Sequence, residues 1–499
     1  MSHDVLTIRG ARLVPVGRCA PADPVDLRIA DGQVIEIAKS LPDIGSRQIH
    51  ADGRWLIPGL WDNHVHMTQW AHNLTRLDVS ASSSAADVVR IVRAHDMVHP
   101  DRTTTIIGFG FRSAGWVTQP TVAQLDEAVP GRPVVLISGD AHNGWLNSVA
   151  LSMLGLPPRD GAINENAWFD VFPMLSNLPG VERDPVDAYR AALALAARTG
   201  VVGITDMEFA NSAATWGELV PKGLDTLRVR ASTYLHGLEQ TLADGLRTGQ
   251  PIPGGGSTVT MGPLKIIADG SLSTMTALCC QPYAGKSTRG AHNVSPERLL
   301  EAMHLARANG LLAAIHAIGD AAVTMVLDTF EASGIHGSIE HAQLLDPKDV
   351  PRMAALGVTA AVHPAHIYDD RDLSDRLWPG CAERSFMLRS MLDAGVTVTL
   401  GSDAPVAPLD PWLAMAAAVH RSADSREPWG GGQAITPAEA LACSTDGRRT
   451  IDIGSLADLV LLDADPLAES PDTMTAAHRL RTMPVATTLL GGRVVYDAR

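Results

Sequence analysis

At 499 residues the chain is long enough to bury a large core, and it exceeds the usual size of one domain, so a large catalytic unit with a smaller companion is expected. Hydrophobic residues at 45% and charged residues at 19% form a globular balance that excludes a disordered chain. Lys plus Arg number 40 against 55 Asp plus Glu, a net charge of −15; such an acidic surface repels phosphate backbones and anionic membranes, so neither is expected as a partner.

Residues 4–57 alternate short β-type runs with turns: Val5–Ile8, Asp26–Ile29, an Asp31-Gly32 turn and Gln33–Ile37. Trp55–Asp62 then reads as the first strand of a different unit. The segment 67–200 is too long for one connection between a strand and its helix. It holds two further strand-like runs, Thr103–Phe109 and Pro133–Ser138, among helical pieces, and reads as a large insertion. Seven more strands follow, separated by amphipathic stretches: Val201–Met207, Arg228–Leu235, Pro263–Ala268, Leu311–His316, Ser338–His341, Val358–His363 and Val396–Ser402. This α/β alternation implies a parallel sheet, and eight strands suggest a closed (β/α)8 TIM barrel over 58–444. Loops at the carboxyl ends of such strands build the active site, so the insertion is expected to cover it. Strand-like runs return at 457–463 and 485–496. Neither terminus closes a stable sheet alone, so residues 1–57 and 445–499 are expected to form one small β-sandwich together.

The five cysteines (Cys19, Cys279, Cys280, Cys381, Cys443) show no metal-ligand spacing, and their odd number suggests reduced thiols. The opening Met-Ser-His-Asp lacks the pattern of a signal peptide, and the apolar runs fall short of a membrane span, so a cytoplasmic protein is expected. There is no internal repeat.

The chemistry-bearing residues gather at strand ends. In Pro58-Gly59-Leu60-Trp61-Asp62-Asn63-His64-Val65-His66, two histidines separated by one residue point to the same side of a strand and can reach one ion. His316 closes Leu311–His316, His341 closes Ser338–His341, and Asp403 follows Val396–Ser402. Lys265 sits inside the apolar run Leu264–Ala268. An unpaired charge on an apolar strand is costly, and the strand ends of a barrel converge on one mouth.

With these residues in order, the chain resembles the amidohydrolase superfamily, in its amidohydrolase-3 branch of YtcJ-like proteins. The resemblance runs through Pro58–His66, Pro133–Asn147 (with Gly139-Asp-Ala-His-Asn-Gly-Trp-Leu-Asn147), Leu264–Ala277, Ile315–Ala321, Ile339–Gln343, His363–His366 and Gly401–Pro411. It implies that His64, His66 and Asp403 bind one ion and His316 and His341 another, with Lys265 bridging the two as a carbamate. An apolar strand lowers the amine's pKa and so permits reaction with carbon dioxide. The alternative is a salt-bridged lysine beside a single metal. Imidazole and carboxylate ligands suit two Zn2+, with manganese, iron or cobalt also open.

The implied reaction is hydrolysis of an amide-like C–N bond of a small molecule. Water on the metal ionises near neutral pH, and Asp403 takes its proton and passes it to the leaving group. The competing readings are a single-metal deaminase on the same scaffold, against which Lys265 argues, and a non-catalytic metal-stabilised binding protein. The resemblance also places His142, Trp145 and His366 near the substrate; the alternative for His142 is a loop histidine capping local backbone. The family usually has Gln where this chain has His363, which leaves the role of that residue open. Arg421, after the eighth strand, is expected to be a solvated helix arginine; the alternative is a contact to an anionic substrate group. Trp61, Trp70, Trp116, Trp145 and Trp168 either line an apolar pocket or pack the core. His3, His50, His72, His95, His99 and His420 are expected to be structural or solvated. The Gly454–Asp458 approach to a late strand is shorter than the family's Pro-Gly-Lys-x-Ala-Asp. A homodimer is the family expectation.

Overall fold

The computed structural model describes residues 5–74, 76–99, 101–181 and 186–499; His3 lies outside them. Eight parallel strands form the central sheet: β1 (Leu60–Val65), β2 (Val201–Asp206), β3 (Arg228–Tyr234), β4 (Val259–Ile267), β5 (Ala313–Ala317), β6 (Gly337–His341), β7 (Thr359–Val362) and β8 (Val398–Leu400). Each pairs with its sequence neighbour among them. The ring closes between β1 and the residues after β8. There the Asp403 N–H donates to the His64 carbonyl at 2.9 Å, and the His66 N–H donates to the Ala404 carbonyl at 2.8 Å. The barrel expected from the alternation of runs is present.

Local chemistry sets the outer helices. Pro296–Ala308 starts where Ser295 Oγ accepts the Arg298 N–H, and it buries Leu299, Ala302, Met303 and Ala306 at helical spacing. Asp320–Ser333 buries Val323, Val326, Leu327 and Phe330, then stops at Gly334 in the left-handed conformation, φ 61°.

The termini meet in one sheet-rich unit. Its strand order is Arg493–Asp497, Val485–Leu490, Leu459–Leu462, Trp55–Pro58, Leu6–Leu13, Val25–Ala30, Gln33–Ala38, with Arg47–His50 also paired to Leu6–Leu13. Leu6–Leu13 is the hinge of this unit. Its first half pairs with Arg47–His50 and its last two residues with Trp55 and Leu56, with a register break flanking Gly10 at φ 65°. Ile8, Leu27, Val34, Leu56, Leu459 and Leu489 fill the core beneath. Asp458, fully buried, accepts Arg228 Nε at 2.6 Å and Nη2 at 3.0 Å, and so ties β3 to this unit.

One strand differs from the sequence reading. Trp55–Asp62 is not continuous: Trp55–Pro58 pairs antiparallel with Leu459–Leu462 in the terminal sheet, while β1 begins at Leu60 in the barrel. The break falls at Gly59, where a Cβ would stand 2.3 Å from Val202 Cγ2, so only glycine allows the two sheets to approach this closely. Both halves are apolar, and hydrophobicity alone could not separate them.

The insertion after β1 has its own five-stranded sheet, ordered Ile163–Asn164, Asn143–Leu146, Val134–Ser138, Ile106–Phe111 and Leu77–Asp78. The two strand-like runs read from sequence are its centre, and the flanking strands are two to four residues long. Asn143–Leu146 returns antiparallel to Val134–Ser138, so the turn between them carries Asp140 and His142. Among the described residues no helix is long and apolar enough to cross a membrane.

Candidate metal centre and cavity

The barrel brings its chemistry-bearing residues to one mouth. His64 lies in β1 and His66 follows it; Lys265 lies in β4, His316 in β5, and His341 ends β6. His363 and His366 follow β7, and Asp403 follows β8. His341 (φ 71°) and Asp403 (φ 57°) hold left-handed backbone, a conformation costing about 1–2 kcal/mol in a non-glycine residue. Strain of this kind concentrates where side-chain direction matters more than backbone comfort.

Asp403 is the hub. Its Oδ1 stands 3.4 Å from His66 Nε2 and 3.5 Å from His64 Nε2, and its Oδ2 stands 3.8 Å from His366 Nε2. His64 Nδ1 meets Glu340 Oε2 at 2.6 Å, so its Nε2 faces the centre, 3.1 Å from Lys265 Nζ. Three sets of side chains place one ligand atom each within 4.8 Å of one another: His64, His66 and Asp403; His341, His366 and Asp403; and His64, His341 and His363. His316 stands beside these sets, its ring 4.4 Å from that of His341 and its Nε2 3.3 Å from the Gly270 carbonyl oxygen.

The donor set fits a divalent cation. His66 Nδ1, His341 Nδ1 and His366 Nε2 are buried without a hydrogen bond of ordinary geometry among the described residues, although unmet polar atoms are rare in a protein interior. Burial, reinforced by the Lys265 ammonium, holds His64 and His316 well below the usual imidazole range. Burial and the neighbouring His316 do the same for His341. A neutral imidazole is the form that binds a metal. Burial pushes the Lys265 ammonium down and the Glu340 carboxyl up, so the two carry less charge than they would in water.

A cavity of about 460 Å3 opens over this centre, lined by His142, His341, His366 and Asp403 together with Gln343 and Asp370. A chamber of about 30 Å3 continues to His64, His66, Lys265 and His316. His142 lines both. Its Nδ1 lies 3.0 Å from Glu165 Oε2, and the Glu165 carboxylate also accepts Thr274 Oγ1 and, at 2.9 Å, Thr276 Oγ1. Burial alone would lower the His142 pKa, but the Glu165 charge and hydrogen bond outweigh it and push it up to about 9.

The structure corrects some sequence readings. Trp145 is not at the cavity: its ring is fully buried in the insertion core against Phe111, and its Nε1 donates to the Thr121 carbonyl at 2.7 Å. Its strand alternates faces, so the turn that presents His142 turns Trp145 inward. Trp61 and Trp168 are buried too, and none of the five tryptophans considered lines this cavity. Arg421 is fully buried, donating to the carbonyls of Ser385, Phe386 and Trp429, so it clamps loops rather than facing solvent. His420 is buried beside Thr473 Oγ1, His95 is half-buried, and His50 and His99 are exposed. Glu340 and Glu165 join the site without being among the residues the sequence points to. Glu340 did carry a signal, as a carboxylate inside an apolar strand next to His341. Glu165 carries none, lying 23 positions from its partner as the first residue of the short helix Glu165–Val171.

A family model described as "Amidohydrolase family" matches residues 47–496. The putative amidohydrolase YtcJ of Bacillus subtilis (strain 168) is 26% identical over 494 residues, covering 91% of each chain. The N-substituted formamide deformylase of Arthrobacter pascens is 26% identical over 497 residues, covering 90% of each. An uncharacterized metal-dependent hydrolase from Pyrococcus horikoshii OT3 shares the fold with a TM-score of 0.78 at 24% identity, over 95% of this chain and 99% of that one.

Proposed function

The chain belongs to the amidohydrolase family, and from that premise we propose that it is a metal-dependent hydrolase cleaving an amide-like C–N bond of a small molecule. The observation that carries this reading is Asp403, a carboxylate at the floor of an open cavity within 4 Å of three imidazoles. In this reading His64, His66 and Asp403 would hold one divalent ion and His316 and His341 a second, zinc in the first instance, and Lys265, as a carbamate, would be a further anionic ligand. When bound, such ions lower the pKa of water and polarise a carbonyl.

The chain's own groups do the rest. Asp403 accepts the proton of the attacking water and passes it to the leaving nitrogen. Glu340 fixes the His64 ring through Nδ1, leaving Nε2 as the ligand atom. His142, charged and held by Glu165, donates toward the substrate from the cavity wall, and His366 lines the same wall. Burial lowers the Lys265 amine, which favours the neutral form that adds carbon dioxide. The cavity volume suits a small organic substrate. The name of the Arthrobacter relative makes N-formyl amines the first class to try.

Metal-replete protein should release amine or carboxylate from N-formyl, N-acyl or cyclic amides, and chelation should stop it. His64→Ala and His316→Ala should each lose bound metal and turnover. Full activity with metal retained in both variants would remove the ligand assignment. Ammonia released from an exocyclic ring amine, with one ion per chain, would replace the reading with a deaminase.

A further inference from the structure

The wall of the larger cavity has spent several of its donors on itself. Ser138 Oγ donates to Asp140 at 2.5 Å, and the Ser273 hydroxyl donates to the same carboxylate. Arg112 pairs with Asp369 at 2.9 Å and donates to the Val406 carbonyl at 3.2 Å. Two acceptors on this wall keep capacity to spare. Asn143 opens the insertion strand Asn143–Leu146 and lines the cavity at only 8% exposure, yet its Oδ1 has no hydrogen-bond partner among the described residues. A buried acceptor left unmet is costly and rare in a protein interior. Helix Ile367–Leu377, after β7, carries the second acceptor. Its Asp369 is held by Arg112 and its Asp372 by Arg426 at 2.6 Å. Asp370 lines the cavity and takes Gln343 Nε2 at 2.8 Å, but it forms no ion pair among the described residues; Arg112 and His366 act on it only by their charge at a distance.

We infer that Asn143 and Asp370 set substrate specificity, accepting the N–H groups of an ammonium or guanidinium at the end of the substrate remote from the scissile bond. The inference rests on the hydrolase reading above and deepens it by naming a substrate class, a small amide with a cationic tail. The insertion supplies Asn143 and the barrel supplies Asp370, so the tail is read by both units at once. A cation is the group that matches open acceptors: an ammonium brings donors alone, and its hydrogen bond to a carboxylate is charge-assisted. A carboxylate tail would meet Asp370 with like charge, and an apolar tail would leave both acceptors unmet. The chain's net charge of −15 draws cationic substrates from solution in the same sense.

The test compares three formamides of matched length on zinc-loaded protein: N-formylputrescine, which ends in an ammonium, N-pentylformamide, which ends in a methyl, and the N-formyl derivative of aminovaleric acid, which ends in a carboxylate. Wild type should favour the first over the second by about tenfold or more in kcat/KM, and the third should be the poorest. Asp370→Asn, which keeps an oxygen for Gln343, and Asn143→Leu should each shrink the ammonium-to-methyl ratio severalfold, while Asn143→Asp should preserve or enlarge it. A purely structural role would lower all three rates together and leave the ratios alone. Equal rates on the three in wild type, a preference for the carboxylate, or ratios unchanged in both Asp370→Asn and Asn143→Leu would overturn the inference and leave the hydrolase reading intact. Wild type that cleaves none of these and no N-acyl or cyclic amide would remove both. The wild-type ratios need no variant, so a poorly folding substitution does not protect the idea.

Discussion

Lys265 is the residue at which two chemistries part. A carbamate would give two metals a shared anionic ligand, whereas a plain ammonium 3.1 Å from His64 Nε2 would compete with any ion there. Lys265→Ala should therefore lose most activity, and a short carboxylic acid added to the variant should restore part of it by filling the vacated space. Absence of rescue with metal content unchanged would favour the ammonium. His142 offers a second measurement. Its folded-state pKa of about 9 stands above the ordinary 6.5, so its pairing with Glu165 stabilises the fold fully below pH 6.5 and is lost as pH rises through 9. Urea unfolding of Glu165→Gln should show a smaller loss of stability than wild type between pH 6.5 and 9.5; equal losses would count against the pairing. The sequence could display His64, His66, His316, His341 and Asp403 because each stands on or just past an apolar strand. It could not display Glu165, whose partnership exists only once the turn at 139–142 folds over the barrel.

Among elements, the junction between Trp55–Pro58 and β1 makes the sharpest demand. Gly59→Ala would drive a methyl group into Val202, and such overpacking costs about 1–3 kcal/mol. Gly59→Ala should lower the denaturant midpoint, and Val202→Ala added to it should recover part of the loss. Additive losses in the pair would mean that the two do not clash. This junction also explains why the sequence shows one strand where two exist: a sheet change within an apolar run leaves hydrophobicity unaltered and is marked only by Pro58-Gly59. The barrel strands were legible for the opposite reason, each being an apolar run bounded by a helix or loop. Strands as short as Leu77–Asp78 offer too few residues for any alternation to register.

For the molecule as a whole, the terminal unit is a joint product of both ends. Leu459–Leu462 lies between Trp55–Pro58 and Val485–Leu490. Removing 453–499 should strip that neighbour from Trp55–Pro58 and give insoluble protein, whereas a soluble and active truncation would show that the N-terminal strands stand alone. The kinship of the two ends was visible in their composition and turns. The cavity wall was not, because it comes from an insertion whose path depends on tertiary packing.

The pairing of Pro58 with Leu459 also sets a timetable for the chain as it leaves the ribosome. About 400 residues separate the two, and at about 5–20 residues per second translation takes about 20–80 s to supply the second after the first. Throughout that interval the nascent chain carries an apolar strand with an open edge, the kind of surface that recruits other chains. The cell must shield this edge or outrun its aggregation, so the yield of folded protein should depend on the speed of synthesis and on chaperone supply more than on the stability of the finished molecule.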